Sequence, residues 1–372
     1  MKLMPDLNTF KLLPWGGVRV ICSAVTPQGD PFIGDPRNAL VTVLEEAASM
    51  GFQFQSSMEL EFFLFKTNAQ GDPLPCQPID DATYYDLPGE RGLNLQQAMG
   101  AALLALDIPV LDAHAEIAQG QYEVAFDHDD ALRSADALIT ARVALRTVAA
   151  QSGAYCTFMP RPCQNMAGSG LHTHQSLHSD RDGLNVFVDT GDQYGLSEIG
   201  RQFLAGQLYH ARAMTALLAP LVNSYKRLGQ SFEAPIYISW AHVNRSALIR
   251  VPVIASNGGQ TRLELRCPDP STNPYLALAV MLKAGLDGIK HQMVLSDPLE
   301  ETLLQKRSRM RTMATLPATL GEALRALRDD DVILDALGAY IGDRFLESKQ
   351  KEYDDYSQIV TQWELERYLH NI

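Results

Sequence analysis

In the segment SMELEFFLF, Glu59 and Glu61 stand two residues apart, so an extended strand puts both carboxylates on one face and Leu60, Phe62 and Leu64 on the other. Adjacent anions repel, and paired carboxylates on one surface are a recurring device for holding a hard divalent cation. Phe63 and Phe65 share the glutamate face, which points to a partly buried cleft; a strand with one solvated face is the plain alternative. In HAEIAQGQYEV, Glu116 and Glu123 flank a glycine-containing turn, a weaker signal because surface carboxylates are common. In AGSGLHTHQSL, His172, His174 and Ser176 alternate onto one strand face behind the small residues Ala167 to Gly170, which let a ligand approach the backbone closely. Two imidazoles and a hydroxyl on one face fit a metal or nucleotide site as well as they fit structural histidines.

A series of arginines follows: Arg227 in NSYKRL, Arg245 and Arg250 in NRSALIR, then Arg262 and Arg266 on either side of Glu264 in TRLELRCP, where all three share a strand face. The planar guanidinium fork suits carboxylate and phosphate. NSYKRL and NRSALIR carry little acid of their own, so some of these arginines are expected to await an anionic ligand, with structural ion pairs as the equal alternative. No GxxxxGK[ST] loop occurs, and GSG at Gly168 to Gly170 lacks the third glycine of a dinucleotide fingerprint. Any bound nucleotide must therefore have its phosphates held by arginines and metal.

The elements that position these residues are mixed. Strands are predicted at Gly17 to Ala24, Glu59 to Phe65, Leu171 to Leu177, Ile236 to Trp240 and Thr261 to Cys267, with a turn-rich insertion from Asn68 to Gly92. Helices are predicted at Pro36 to Met50, Asn94 to Leu106, Asp130 to Ala150, Ser197 to Leu218, Pro274 to Lys290 capped by Asn273, and Thr319 to Leu327, where Thr319 and Glu322 form a capping-box pattern. Strands and helices without regular βαβ alternation favour an α+β fold. The 372 residues carry 31 Lys plus Arg against 44 Asp plus Glu, a net charge of −13 that argues against nucleic acid as the main partner. No apolar run of membrane-spanning length and no signal-like leader is evident, so a cytoplasmic location away from membranes is expected. Cys22, Cys76, Cys156, Cys163 and Cys267 are scattered without a CxxC, and are expected to be reduced, mostly buried thiols.

Taken in order, MPDLNTFKLLPW, ELEFFLF, EIAQGQYEV, AGSGLHTHQSL, NSYKRL with FEAP, NRSALIRVP, RLELRCPDPSTNPYLA and TQWELERYL resemble the glutamine synthetase family of the bacterial and archaeal type I group, from Met4 to Leu369. The resemblance implies an α+β catalytic domain over residues 31–372, an antiparallel sheet lining the active site with helices packed outside, and residues 1–30 as a remnant of an N-terminal β-grasp domain. It implies two divalent cations, Mg2+ or Mn2+, one at Glu61, Glu116 and Glu123 and the other at Glu59, His172 and Glu264. ATP would lie by His174 and Ser176 with its phosphates near Arg250 and Arg262, and glutamate would be held by Arg227, Arg266 and the backbone at Gly168. Arg245 would face the phosphoryl group in transfer, and Glu233, in a mobile flap, would help accept a proton from ammonium. The implied activity is ATP-dependent ligation of glutamate and ammonia through γ-glutamyl phosphate, in a homo-oligomer of stacked hexameric rings with Trp363 to Ile372 at the ring-to-ring contact.

The sequence also departs from that family. It begins inside the last part of the β-grasp domain, so the aspartate which that domain lends to a neighbouring ammonium site has no counterpart. Met166, Ala167 and Gly168 stand where the family's glutamine-forming members usually carry Asp-Asn-Gly, which keeps a γ-glutamyl-amine or polyamine ligase open as the alternative, and a non-catalytic subunit as a third reading. Gly259 replaces a lysine common near the ATP phosphates, and no tyrosine occurs in Ser296 to Ala314, so adenylylation is not expected.

Overall fold

The computed structural model describes residues 1–84, 86–229, 234–252, 261–300 and 313–370. In chain order its strands are β1 (Lys2–Leu12), β2 (Val18–Val25), β3 (Phe52–Thr67), β4 (Pro73–Pro78), β5 (Val110–Ala115), β6 (Gln121–Phe126), β7 (Asp129–Asp130), β8 (Ala154–Thr157), β9 (Leu171–Ser179), β10 (Trp240–Ala241), β11 (Ile249–Arg250) and β12 (Leu263–Leu265). Its helices are α1 (Pro36–Ser49), α2 (Glu90–Ala105), α3 (Ala131–Gln151), α4 (Glu198–Tyr209), α5 (Ala211–Leu218), α6 (Ser224–Leu228), α7 (Pro274–Lys290), α8 (Leu320–Arg328), α9 (Asp331–Ser357) and α10 (Gln362–Tyr368).

Strand β3 organises the rest. It pairs antiparallel with β9 over Phe52 to Leu60 and with β6 over Glu59 to Phe63, at the centre of a sheet ordered β10-β11-β12-β9-β3-β6-β5. Its alternation divides the molecule. Leu60, Phe62 and Leu64 are fully buried in the main core beneath the helices, while Phe63 and Phe65 on the glutamate face pack into a small second cluster with Ala118, Cys163 and Ala167. The glutamate face therefore lies in a cleft with an apolar floor at one end. Strands β1 and β2 form a separate two-stranded sheet.

Local signals explain most element ends. Asp35 caps α1 by accepting from Arg37 N, with Pro36 in the first turn, and Asn273 caps α7 by accepting from Tyr275 N and Leu276 N. Thr319 caps α8 by accepting from Glu322 N. The helix expected from Ser197 to Leu218 is two helices that break at His210. There the imidazole is clamped between Asp330 and Asp287, at 2.7 and 3.1 Å, and the chain turns to let it reach both. Of the strand expected at Ile236 to Trp240 only its end pairs in the main sheet, because Ile238 N and Ile236 O instead bond Ala314 O and Leu316 N. The expectation that all five cysteines are reduced is corrected for two of them. Cys76, within the short strand β4, is disulfide-bonded to Cys163, 87 residues on, while Cys22, Cys156 and Cys267 are free.

The small sheet is tied to the helices by a buried ion pair. Arg37 donates through Nε and Nη2 to both oxygens of Asp136 (3.1 and 2.9 Å) and through Nη2 to Asp6 on β1 (2.9 Å). Tyr275 on α7 donates to Asp136 at 2.6 Å, so one carboxylate joins α1, α3 and α7. Asp136→Ala leaves the guanidinium buried beside a single half-exposed partner, and urea denaturation should show a loss of about 3 kcal/mol, the usual cost of breaking a buried pair on one side. Unchanged stability would mean that the network is not holding these elements together.

Candidate active site

Four neighbouring strands bring the chemistry to one face of the sheet. Register places Glu59 opposite His172, Glu61 opposite Glu123 and Glu264 opposite His174, so β12, β9, β3 and β6 each contribute across spacings of about 4.8 Å. Glu116 joins them just past the end of β5.

Two groups of side chains converge in different ways. His172 Nδ1 lies 3.0 Å from Glu59 and 3.9 Å from Glu264, and His174 Nε2 lies 2.9 Å from Glu59. Glu264, fully buried, also accepts from Arg250 Nε at 2.6 Å and from Arg266. Burial raises the Glu59 pKa, but hydrogen bonds from His172 and His174 outweigh it and hold the group far below the ordinary carboxylate range. Burial acts on Glu264 in the same sense and is outweighed by Arg266, His174, His172 and Arg250, which bring it to about 2. On the other side cationic help is scarce. Glu61 is raised by burial despite the nearby His172, and Glu123 is pushed up to about 10 by burial and by repulsion from Glu61, Glu59, Glu116 and Asp112.

This donor set fits hard cations. Glu59, His172 and Glu264 bring ligand atoms within 4.8 Å of one another, as do Glu61, Glu123 and His172, and also His114, Glu116 and Glu123. The first group coincides with one of the two triads expected from the sequence. The second triad is divided, with Glu61 nearer His172 and Glu116 nearer His114, and Glu123 common to both.

Two cavities meet at Glu59 and Ala125. The larger, about 600 Å3, is lined by the remaining carboxylates, His172, Gly168, Arg227, Arg245, Arg250 and Arg266. The smaller, about 440 Å3, is lined by His174, Ser176 and Arg262, with Arg262 Nε 3.2 Å from His174 Nδ1. Arg250, expected beside nucleotide phosphates, lies on the larger side with Glu264. Arg227, expected to hold a substrate carboxylate, donates from both terminal nitrogens to the carbonyl oxygens of Arg266, Cys267 and Pro268, each at 3.0 Å. Among the described residues the buried Arg266 Nε has no hydrogen-bond partner, while Arg266 itself lines the larger cavity. Gly168 and Gly170 cannot be replaced without displacement, since a Cβ would come within 2.5 Å of the Pro160 carbonyl at the first and 2.6 Å of the Arg227 guanidinium at the second. Glu233, Gly259 and residues 301–312 lie outside the described residues.

The site also contains residues that the sequence did not single out. Gln121 holds Glu61 by a 2.9 Å hydrogen bond, and His114 lies 3.4 Å from Glu116 with its Nδ1 3.1 Å from Asp112. Tyr84 stands edge-on to His114 at the mouth of the larger cavity. Gln121 alternates with Glu123, and Asp112 and His114 alternate with Glu116, so the period-two rule that found Glu59 and Glu61 also reaches them.

An α+β fold whose central sheet gathers carboxylates, imidazoles and arginines where two cavities meet defines a cation-dependent enzyme acting on anionic substrates. The sequence matches the family "Glutamine synthetase, catalytic domain" over residues 33–368, and the protein belongs to that family. The glutamine synthetase of Halobacterium salinarum is 44% identical, with 99% of this chain and 83% of the relative covered. That of Thermotoga maritima is 43% identical, with 100% and 85% covered. Among solved structures, one described as a GmaS/ADP complex superposes with a TM-score of 0.87 at 32% identity, covering 99% of this chain and 85% of that one. Among the described residues, no helix is long and apolar enough to cross a membrane.

A carboxyl group raised to about 10 keeps its proton at neutral pH until a cation displaces it. Titration of the metal-free protein with Mg2+ or Mn2+ at pH 7.5 should release about one proton per site, read by calorimetry as an enthalpy that changes with the buffer's ionisation heat, and should raise the melting temperature. A buffer-independent enthalpy would remove Glu123 from the cation site.

Proposed function

We propose that the protein ligates L-glutamate and ammonia to glutamine at the expense of ATP, by way of γ-glutamyl phosphate. The observation that carries this reading is the junction of two polar cavities at Glu59, under the carboxylates of β3, β6 and β12, in a chain of the glutamine synthetase family. ATP occupies the smaller cavity with Arg262 beside its phosphates; the structural neighbour described as an ADP complex supports use of an adenine nucleotide. Glutamate occupies the larger cavity, whose wall includes Arg266, and the Arg227 side chain braces the backbone on which Arg266 stands. When bound, cations at the two carboxylate groups, Mg2+ or Mn2+, neutralise the triphosphate charge.

An oxygen of the glutamate γ-carboxylate attacks the terminal phosphorus, and the bond from that phosphorus to the oxygen of ADP breaks. Arg245, on the cavity wall, faces the phosphoryl group as it transfers. Ammonia then attacks the acyl carbon, inorganic phosphate leaves with the carbon–oxygen electron pair, and the proton lost from nitrogen passes to a carboxylate, with Glu233 as the proposed acceptor. Water must be kept out while the acyl phosphate exists, which is the task assigned to the segment carrying Glu233.

A γ-glutamyl-amine or polyamine ligase is the second reading. It is favoured by Ala167 on the cavity wall, which offers no side-chain polar atom to an amino group. Residues 1–30 are read as part of a β-grasp domain, the location as cytoplasmic, and the assembly as stacked hexameric rings. Exposed apolar side chains at Trp363, Leu365 and Leu369 support a contact made by the C-terminal segment.

Phosphate release from ATP with Mg2+ and glutamate should rise on addition of ammonium and stay at background with putrescine or methylamine. The reverse pattern would move the assignment to the amine ligase, and no release with any acceptor would leave a non-catalytic relative. Glu264→Gln removes a carboxylate from between two arginines and should lower kcat by about 100-fold or more. Activity near the wild-type level in that variant would sink the cation assignment at Glu59, His172 and Glu264.

A further inference from the structure

The smaller cavity contains a directional hydrogen-bond chain that none of the roles above uses. His178 Nδ1 lies 3.0 Å from the carbonyl oxygen of Gly183, which can only accept, so Nδ1 carries the ring proton. In the neutral ring Nε2 is then an acceptor, and the Ser176 hydroxyl, 3.2 Å away, donates to it. His128 Nε2 stands 2.9 Å from the same Ser176 oxygen. Because the hydroxyl proton is already committed to His178, His128 must donate through Nε2. The remaining nitrogen, His128 Nδ1, is thereby fixed as an acceptor, on a residue that lines the cavity. Burial and the neighbouring His178, His174 and Arg262 lower the His128 pKa to about 4, which keeps the ring neutral and the chain in this polarity at physiological pH.

The position of the chain along the cavity indicates what it meets. Strand β9 presents His172, His174, Ser176 and His178 on one face, running outward from the cation side. His178 is four residues, about 13 Å, beyond His174 and the Arg262 guanidinium beside it. Phosphates belong at the Arg262 end, so the far end receives the base. The cavity wall also carries Leu111, 66% exposed despite its chemistry, together with the polar Asn185 and Thr261. A flat heterocycle lying against Leu111 would cover that surface and bring one edge to His128.

We propose that His128, locked by Ser176 and His178, determines nucleotide specificity: its Nδ1 accepts a hydrogen bond from the exocyclic amine of adenine, so that the site takes ATP and rejects GTP. The inference rests on the assignment of ATP to the smaller cavity. Guanine would present a carbonyl oxygen at the same edge, leaving two acceptors facing each other, and a site built to receive a hydrogen bond discriminates strongly against a partner that cannot give one.

The test is equilibrium binding of ADP and GDP to the full-length protein with Mg2+, together with KM and kcat for ATP and GTP, in wild type, His128→Ala and His128→Asn. Wild type should favour ADP over GDP. His128→Ala should weaken ADP binding by about tenfold or more while leaving GDP within about twofold, and should raise KM for ATP with kcat little changed. His128→Asn, whose amide can donate to Ser176 and accept from the base, should recover part of the preference. Equal weakening of both nucleotides would show a ribose contact or a merely structural histidine, and an unchanged ratio would show that the base is read elsewhere; either overturns the proposal. Wild type that binds neither nucleotide would overturn the ATP assignment as well, a result distinct from both.

Discussion

The arrangement turns on carboxylates forced together where water is scarce. Glu59, Glu61, Glu123 and Glu264 occupy one face of the sheet on β3, β6 and β12, and the sheet's own register brings them there. The protein relieves only half of the resulting repulsion. Glu59 and Glu264 have two histidines and two arginines against them and stay ionised, whereas at Glu61 burial and repulsion outweigh His172 and Arg227, and at Glu123 burial and three neighbouring glutamates with Asp112 raise the pKa. The two halves therefore differ in what a cation does on arrival. At Glu59, His172 and Glu264 it would meet charges already ordered by the protein. At Glu123, whose pKa burial and neighbouring carboxylates raise to about 10, an arriving cation would have to displace a proton, so affinity there would depend on pH in a way that the first half would not share.

That electrostatic division needs a rigid frame, and the frame is built from both faces of β3. On one side Leu60, Phe62 and Leu64 anchor the strand in the main core, while on the other Phe63 and Phe65 close the end of the cleft against Ala118, Cys163 and Ala167. The Cys76–Cys163 bond fastens the segment leading to Ala167 and Gly168 to β4. Gly170 completes the frame, its amide donating to Glu61 at 2.9 Å and its missing side chain leaving room for the Arg227 guanidinium. A fixed carboxylate pair, and no flexible one, is what cation geometry requires.

Period-two alternation was enough to place Glu59 with Glu61, His172 with His174 and Ser176, and Glu264 with its flanking arginines, because a strand's faces follow from spacing alone. Spacing does not say which strands are neighbours. Glu123 opposite Glu61, or Cys76 beside Cys163 across 87 residues, follows from sheet order and has no local signature. The break at His210 is of the same kind, since Asp287 and Asp330 are remote in sequence and the helical pattern runs through the site without interruption. Gln121, Asp112 and His114 were within reach of the rule and were passed over because neutral or lone polar residues carry less chemical promise than a carboxylate pair. His128 falls in no periodic pattern, and only the fold shows that it meets Ser176.

The arginines show why residue type alone overstates a site. Five of them, read together, suggest five forks open to anionic substrates. In the folded protein Arg227 spends both terminal nitrogens on three backbone carbonyls, and Arg250 is committed to Glu264. Their effect on a substrate is then indirect. Arg227 fixes the chain at Arg266 to Pro268, and so aims the Arg266 side chain, whose Nε remains unpaired in the cavity wall. Arg227 and Arg250 thus shape the site through the backbone and the carboxylate that they brace, and the cleft has fewer open guanidinium forks than its count of arginines suggests.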